Sequence, residues 1–262
     1  MAARITRTLS GLLYLTGRFI VNRDQTFGIS HLLVLTTAIA IMIGWAQLCT
    51  FLQYANSAKS PPQIVPIRTF AWASVQGSLL ASFVWLVSRR SKSSALLAQP
   101  GHWILFLNFL LVPVTLIAHT FFSFQLWQHG DTLPKWVDLL NNFAYALFYP
   151  ALSLAFAYPI LRHWRADCKV WGIVFGLQSI MAAIMGASYL FALTNTSFSI
   201  ASVAIFIRML IAAMVACAAI VDVVFRVARD WIHWFSVPVS LFAFLANPLI
   251  ELLAWANPEI AR

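Results

Sequence analysis

Seven side chains able to move a proton or hydrogen-bond a ligand lie inside long apolar runs of this chain: Gln47, Gln76, His119, Tyr149, Arg208, Asn247 and Glu251. Where such runs cross a membrane, polar groups are costly, so their presence marks function more often than it does in loops. The Arg208 guanidinium suits an anionic or carbonyl group. His119, Tyr149 and Glu251 suit proton transfer, and Gln47, Gln76 and Asn247 suit hydrogen bonding to a ligand. On a helical wheel Arg208 shares a stripe with Ala201, Ala204, Ala212, Val215 and Ala219. Small residues let helices approach closely, so Arg208 is expected to point into a bundle, with Glu251 within its outward reach. The competing reading is an arginine that only holds helices together.

Other chemistries are poorly served. The four lysines (Lys59, Lys92, Lys135, Lys169) all fall between apolar runs, which leaves no Schiff-base lysine for retinal. Cys49, Cys168 and Cys217 are widely spaced and form neither a disulfide framework nor a metal motif; Cys49 and Cys217 read as packing residues. His31, His102, His129, His163 and His233 lie at the ends of apolar runs, where interfacial water would satisfy them. With His119 alone in a span interior, a bis-histidine haem is disfavoured. No zinc spacing, phosphate-cradling glycine loop or nucleophile elbow occurs, so no metal and no cofactor is expected. The small residues Gly172, Gly176, Ser179, Ala183 and Gly186 form a seam suited to helix packing. Asp222 is expected to pair with Arg226 one turn later.

The elements that must position these groups follow from composition. Of 262 residues 61% are hydrophobic and 10% charged, with a mean hydropathy of +0.81. A soluble domain carries about 25% charged residues and cannot absorb that apolar excess. The chain therefore reads as an all-α, polytopic membrane helix bundle. A span needs about 20 mostly apolar residues. Windows of that kind run over 31–55, 69–87, 102–127, 139–160, 170–193, 199–224 and 232–255. Pro150 and Pro159 are expected to shorten or bend the fourth span, and Pro238 and Pro248 the seventh. Residues 1–30 form a basic amphipathic segment suited to the inner membrane surface, 31–256 a single seven-helix domain, and 257–262 a short outer tail.

Charge orients the bundle. With the amino terminus inside, the inner segments hold Arg4, Arg7, Arg18, Arg23, Arg89, Arg90, Lys92, Arg162, Arg165, Lys169, Arg226 and Arg229. The outer segments hold Lys59, Arg68, Lys135 and Arg262, and Arg208 remains within a span. That excess places the amino terminus inside and the carboxyl terminus outside, the reverse of receptor-type seven-helix proteins. Basic residues spread over membrane-proximal loops supply no stacking platform, so no nucleic acid is expected. The outer Asn195-Thr196-Ser197 sequon lies in a loop too short to expose a glycan.

Counting about 1.5 Å per residue from each outer end, Gln47, Gln76, His119, Tyr149, Arg208 and Asn247 lie roughly 10–15 Å deep and Glu251 roughly 6 Å. The pattern predicts one polar layer in the outer half. It favours a protein that binds or converts a hydrophobic, lipid-like small molecule. A small-solute transporter or channel is an alternative, disfavoured by the scarcity of deep acids. A non-catalytic subunit or assembly factor with membrane-complex partners is another. The compartment stays open among the bacterial inner membrane, endoplasmic reticulum and mitochondrial inner membrane. In a cysteine-free background, an impermeant thiol reagent should label Lys59→Cys from outside and Lys92→Cys only after permeabilisation. The opposite pattern would reverse the orientation.

Overall fold

The computed structural model describes residues 27–55, 64–89, 97, 99–130, 133–165, 169–194, 201–225, 227 and 229–257. Almost all of the amphipathic segment expected over 1–30 lies outside the described residues. So do the 195–197 sequon and, apart from Asn257, the 257–262 tail. Among the described residues every regular element is a helix: α1 (Ile29–Tyr54), α2 (Ile64–Arg89), α3 (Pro100–Phe109), α4 (Leu111–His129), α5 (Lys135–Ala155), α6 (Ala157–Arg165), α7 (Lys169–Leu193), α8 (Ala201–Val224) and α9 (Trp231–Ala256).

These helices provide seven segments long and apolar enough to cross a membrane, with α3–α4 and α5–α6 each serving as one broken span. The chain is a multi-pass membrane helix bundle. The two breaks share a cause. Proline removes the hydrogen bond to the carbonyl four residues earlier and clashes with it. Pro113 stands four residues after Phe109, where α3 ends, and Pro159 four residues after Ala155, where α5 ends. The break in the fourth span matches expectation at Pro159. Pro150 and the pair Pro238 and Pro248 lie inside continuous helices. The interruption at Leu110 in the third span was not foreseen.

The spans pack in a closed sequence: α5 and α6 on α7, α7 on α8, α8 on α9, α9 on α2, and α2 on α1. The broken third span completes the bundle in two directions. Its α3 half lies against α2 and α9, whereas its α4 half leans on α1. Two apolar clusters meet on α3. Ile104 and Leu107 pack with Trp171, Phe175, Ile211 and Val215, while Leu105 packs with Trp85, Leu86 and Ile232. The outward faces expose Leu32, Ile41, Phe51, Ile117, Leu147 and Leu154, the surface such helices present to lipid. Cys49 is buried as expected, but Cys217 lies on an exposed face of α8.

Association of α5 with α7 shows how apolar helices hold together without a hydrophobic drive between them. Ser153 and Ser179 donate to each other's backbone carbonyls, both at 3.0 Å. At Gly186 an added Cβ would sit 2.8 Å from Pro150 Cδ, so only glycine admits the proline ring there. By contrast, Gly176 faces open space and Ala183 is exposed, so the expected small-residue seam packs only in part. Gly186→Val should separate the two helices and cost about 1–3 kcal/mol by overpacking. Thermal unfolding in detergent would read this as a lowered midpoint, with Gly176→Ala as the near-neutral control.

Candidate functional site

Let the upper end of the bundle be that of the α1 and α9 carboxyl termini. There α4 leans toward α1, and a cleft of about 270 Å³ opens. Thr50, Trp72, Thr115, His119, Tyr145 and Asn247 line it, with Arg68 at its edge. Trp45, Trp72 and His119 form a ring cluster with centroids 5.4–5.9 Å apart. The Trp45 indole donates to Thr120 Oγ1 at 3.0 Å and ties α1 to α4 beside the imidazole. This wall is aromatic and mostly apolar with a few polar groups, the usual makeup of a small-molecule site.

The seven expected residues divide among several settings. His119 and Asn247 share the cleft. Gln47 lines an adjoining cleft of about 210 Å³ with Thr50, Thr69 and Phe70. Gln76 is buried away from both, and its Oε1 has no hydrogen-bond partner among the described residues. Tyr149 belongs to a stack with Tyr145 and Tyr189, whose ring centroids are 4.9–5.9 Å apart. Arg208 lies within electrostatic range of Tyr149 and Tyr189. Glu251 does not meet Arg208: Arg68 Nη2 donates to its Oε1 at 2.7 Å. Arg68 projects from α2 at the same level, a partner that depth along single helices could not reveal. Tyr145 joins the two parts, since it lines the cleft and stacks on Tyr149 and Tyr189, the tyrosines in electrostatic range of Arg208.

A second polar assembly occupies the lower end, and sequence reasoning missed it. His102, His163 and His233, expected to reach interfacial water, are only 2%, 4% and 0% exposed. The α3 and α9 starts are drawn into the bundle, and their histidines go with them. Asp222 is at the centre. Its Oδ2 accepts the Trp171 indole N–H at 3.0 Å and Arg229 Nε at 2.9 Å, and its Oδ1 accepts Arg229 Nη2 at 3.1 Å. The expected partner Arg226 lies outside the described residues. A bidentate arginine–carboxylate pair of this kind is among the stronger polar contacts.

Beside it, two helix starts cap one another. The first backbone N–H groups of a helix lack internal partners. For α3, Gly101 N–H donates to His233 Nδ1 at 3.0 Å. For α9, Asp230 is the N-cap: its Oδ1 accepts His233 N–H at 2.9 Å, and its own N–H donates to Gln99 Oε1 at 3.0 Å. His102 Nε2 lies 3.0 Å from both Asp230 carboxylate oxygens. Gly101 permits this approach, because an added Cβ would meet His233 Cα at 2.7 Å and also strike Ser236 Oγ. The available sequence signal was the crowding of Asp222, Arg229, Asp230 and His233 around one short interhelical link.

No group of three or more metal-ligating side chains forms among the described residues. Comparisons with protein-family models, curated proteins and solved structures found no match. The two ion pairs make a contrast in stability. Asp222→Asn strands a buried Arg229 charge and should cost about 3–5 kcal/mol. Glu251→Gln breaks a half-exposed pair and should cost about 0–1 kcal/mol. Thermal unfolding of the two variants under the same detergent conditions checks the difference.

Proposed function

We propose that this membrane protein binds an amphipathic, lipid-like molecule in the upper half of the bundle, which the charge distribution assigns to the outer leaflet. One observation carries the reading. Arg208 lies on a membrane-spanning helix, yet no described carboxylate is within ion-pair distance and no described group hydrogen-bonds its guanidinium. An unpaired charge at that depth is costly, and an anionic or carbonyl head placed on it would offset the cost. Tyr149 and Tyr189 lie within electrostatic range of the same guanidinium and offer hydroxyl donors for that head. The cleft bearing His119 and Asn247 then receives the remainder of the molecule, with Tyr145 between the two parts. Gln47 borders the same region, and Glu251 holds Arg68 at its edge. If conversion accompanies binding, Tyr149 exchanges a proton with the bound head and His119 with the part of the molecule held in the cleft.

The supporting result is an acidic or carbonyl-bearing lipid that co-purifies in mild detergent and is identified by native mass spectrometry. Arg208→Met should weaken its retention at least about tenfold, the loss expected for one charge-assisted hydrogen bond. Asn247→Leu should change which molecule is retained. A folded Arg208→Met variant that keeps the same molecule overturns the reading. Stoichiometric recovery of another membrane protein favours the subunit alternative, and solute flux in proteoliposomes favours the transporter.

A further inference from the structure

The lower assembly has no part in that reading, yet it holds three buried imidazoles, two carboxylates and an arginine. The geometry points to a proton-binding site at His233, whose protonation releases the start of α3 from the start of α9. His233 Nδ1 accepts the Gly101 N–H, so the neutral ring carries its proton on Nε2. Uptake of a second proton at Nδ1 turns that acceptor into a donor. Two N–H groups would then face each other across 3.0 Å.

The surroundings offset the charge of the protonated ring only in part. Asp222 Oδ2 lies 3.2 Å from His233 Nε2 and already faces the proton that the neutral ring carries there. Its charge is already matched by the bidentate Arg229 contact, and it also accepts from Trp171. Asp230 faces His102, caps α9 and is committed to both. From α6, His163 lies within electrostatic range of His233, Asp222 and Arg229, and Arg162 adds a positive charge behind it. From α7, Trp171 packs edge-on against the imidazole with ring centroids 5.1 Å apart, and it does not titrate over this range. Gly101 is packed directly against the ring, and the Ser236 hydroxyl donates to the His233 backbone carbonyl at 2.6 Å. His102 Nδ1 and His163 Nε2 are buried with no hydrogen-bond partner among the described residues, so the pocket holds further vacant proton acceptors or donors.

The sign follows from the tautomer. Above the ordinary imidazole range, near about 6.5, Nδ1 is free to accept and the latch is closed; protonation turns that acceptor into a donor and breaks the contact, so stability falls as pH drops. Wild-type protein in nanodiscs should lose at least about 3 °C of thermal midpoint between pH 7.5 and pH 5. His233→Asn keeps an amide oxygen for Gly101 but cannot titrate, and its profile should be flat by comparison. Should that variant fail to fold, ¹⁵N-histidine spectra of the wild-type protein decide the matter. The signal coupled to the Gly101 amide should report an unprotonated Nδ1 at pH 7.5 that gains a proton by pH 5 as the coupling disappears. An Nδ1 already protonated at pH 7.5, or a coupling that persists to pH 5, overturns the proposal. So does an equal pH dependence in a folded His233→Asn variant.

Discussion

A helix that begins inside a bundle has backbone donors with no water to receive them, and the meeting of α3 with α9 answers that constraint. Gly101 gives its N–H to His233, and Asp230 gives its N–H to Gln99, so each start supplies the cap the other lacks. The exchange requires contact at the level of the backbone, which is why the position facing His233 is a glycine. Once the two starts are joined, α3 is held beside α2 and α9, where it is shared by both apolar clusters.

The central position of α3 has a consequence at the opposite end. A straight third span would continue along α2 and α9, but Pro113 ends α3 at Phe109 and frees α4 to take another direction. Resting on α1, α4 brings His119 against Trp45 and Trp72 and leaves an opening toward Tyr145 and Asn247. Closure below and opening above are thus two outcomes of one broken helix. The lower end is sealed by ionic and imidazole contacts, and the upper end is held by indole, hydroxyl and ring stacking, with Arg208 left unpaired among the described residues.

Much of this was legible along the chain. Hydropathy located all seven spans within a few residues, because burial in lipid is a property of each segment alone. His119 and Asn247, expected at similar levels, both line one cleft. Depth carried no direction, however. Glu251 pairs with Arg68 on a neighbouring helix rather than with Arg208, and Gln76 lines neither cleft. A histidine at the end of an isolated span reaches interfacial water. His102, His163 and His233 depart from that behaviour because their helix ends pack against neighbouring helices.

Sequence by itself therefore determined the number and limits of the membrane-crossing helices, the charge asymmetry between their connections, and the presence of an arginine with no acid near it on its own helix. Each depends on residues close together in the chain, through hydropathy and helical period. Tertiary structure alone decided which polar groups meet, dividing the expected single layer into a cleft, a tyrosine–arginine group and an Arg68–Glu251 pair, and gathering span-end histidines and aspartates into a separate buried cluster at the other end. Those encounters depend on how each helix is rotated and which helices adjoin it, and both are set by packing among residues distant in sequence.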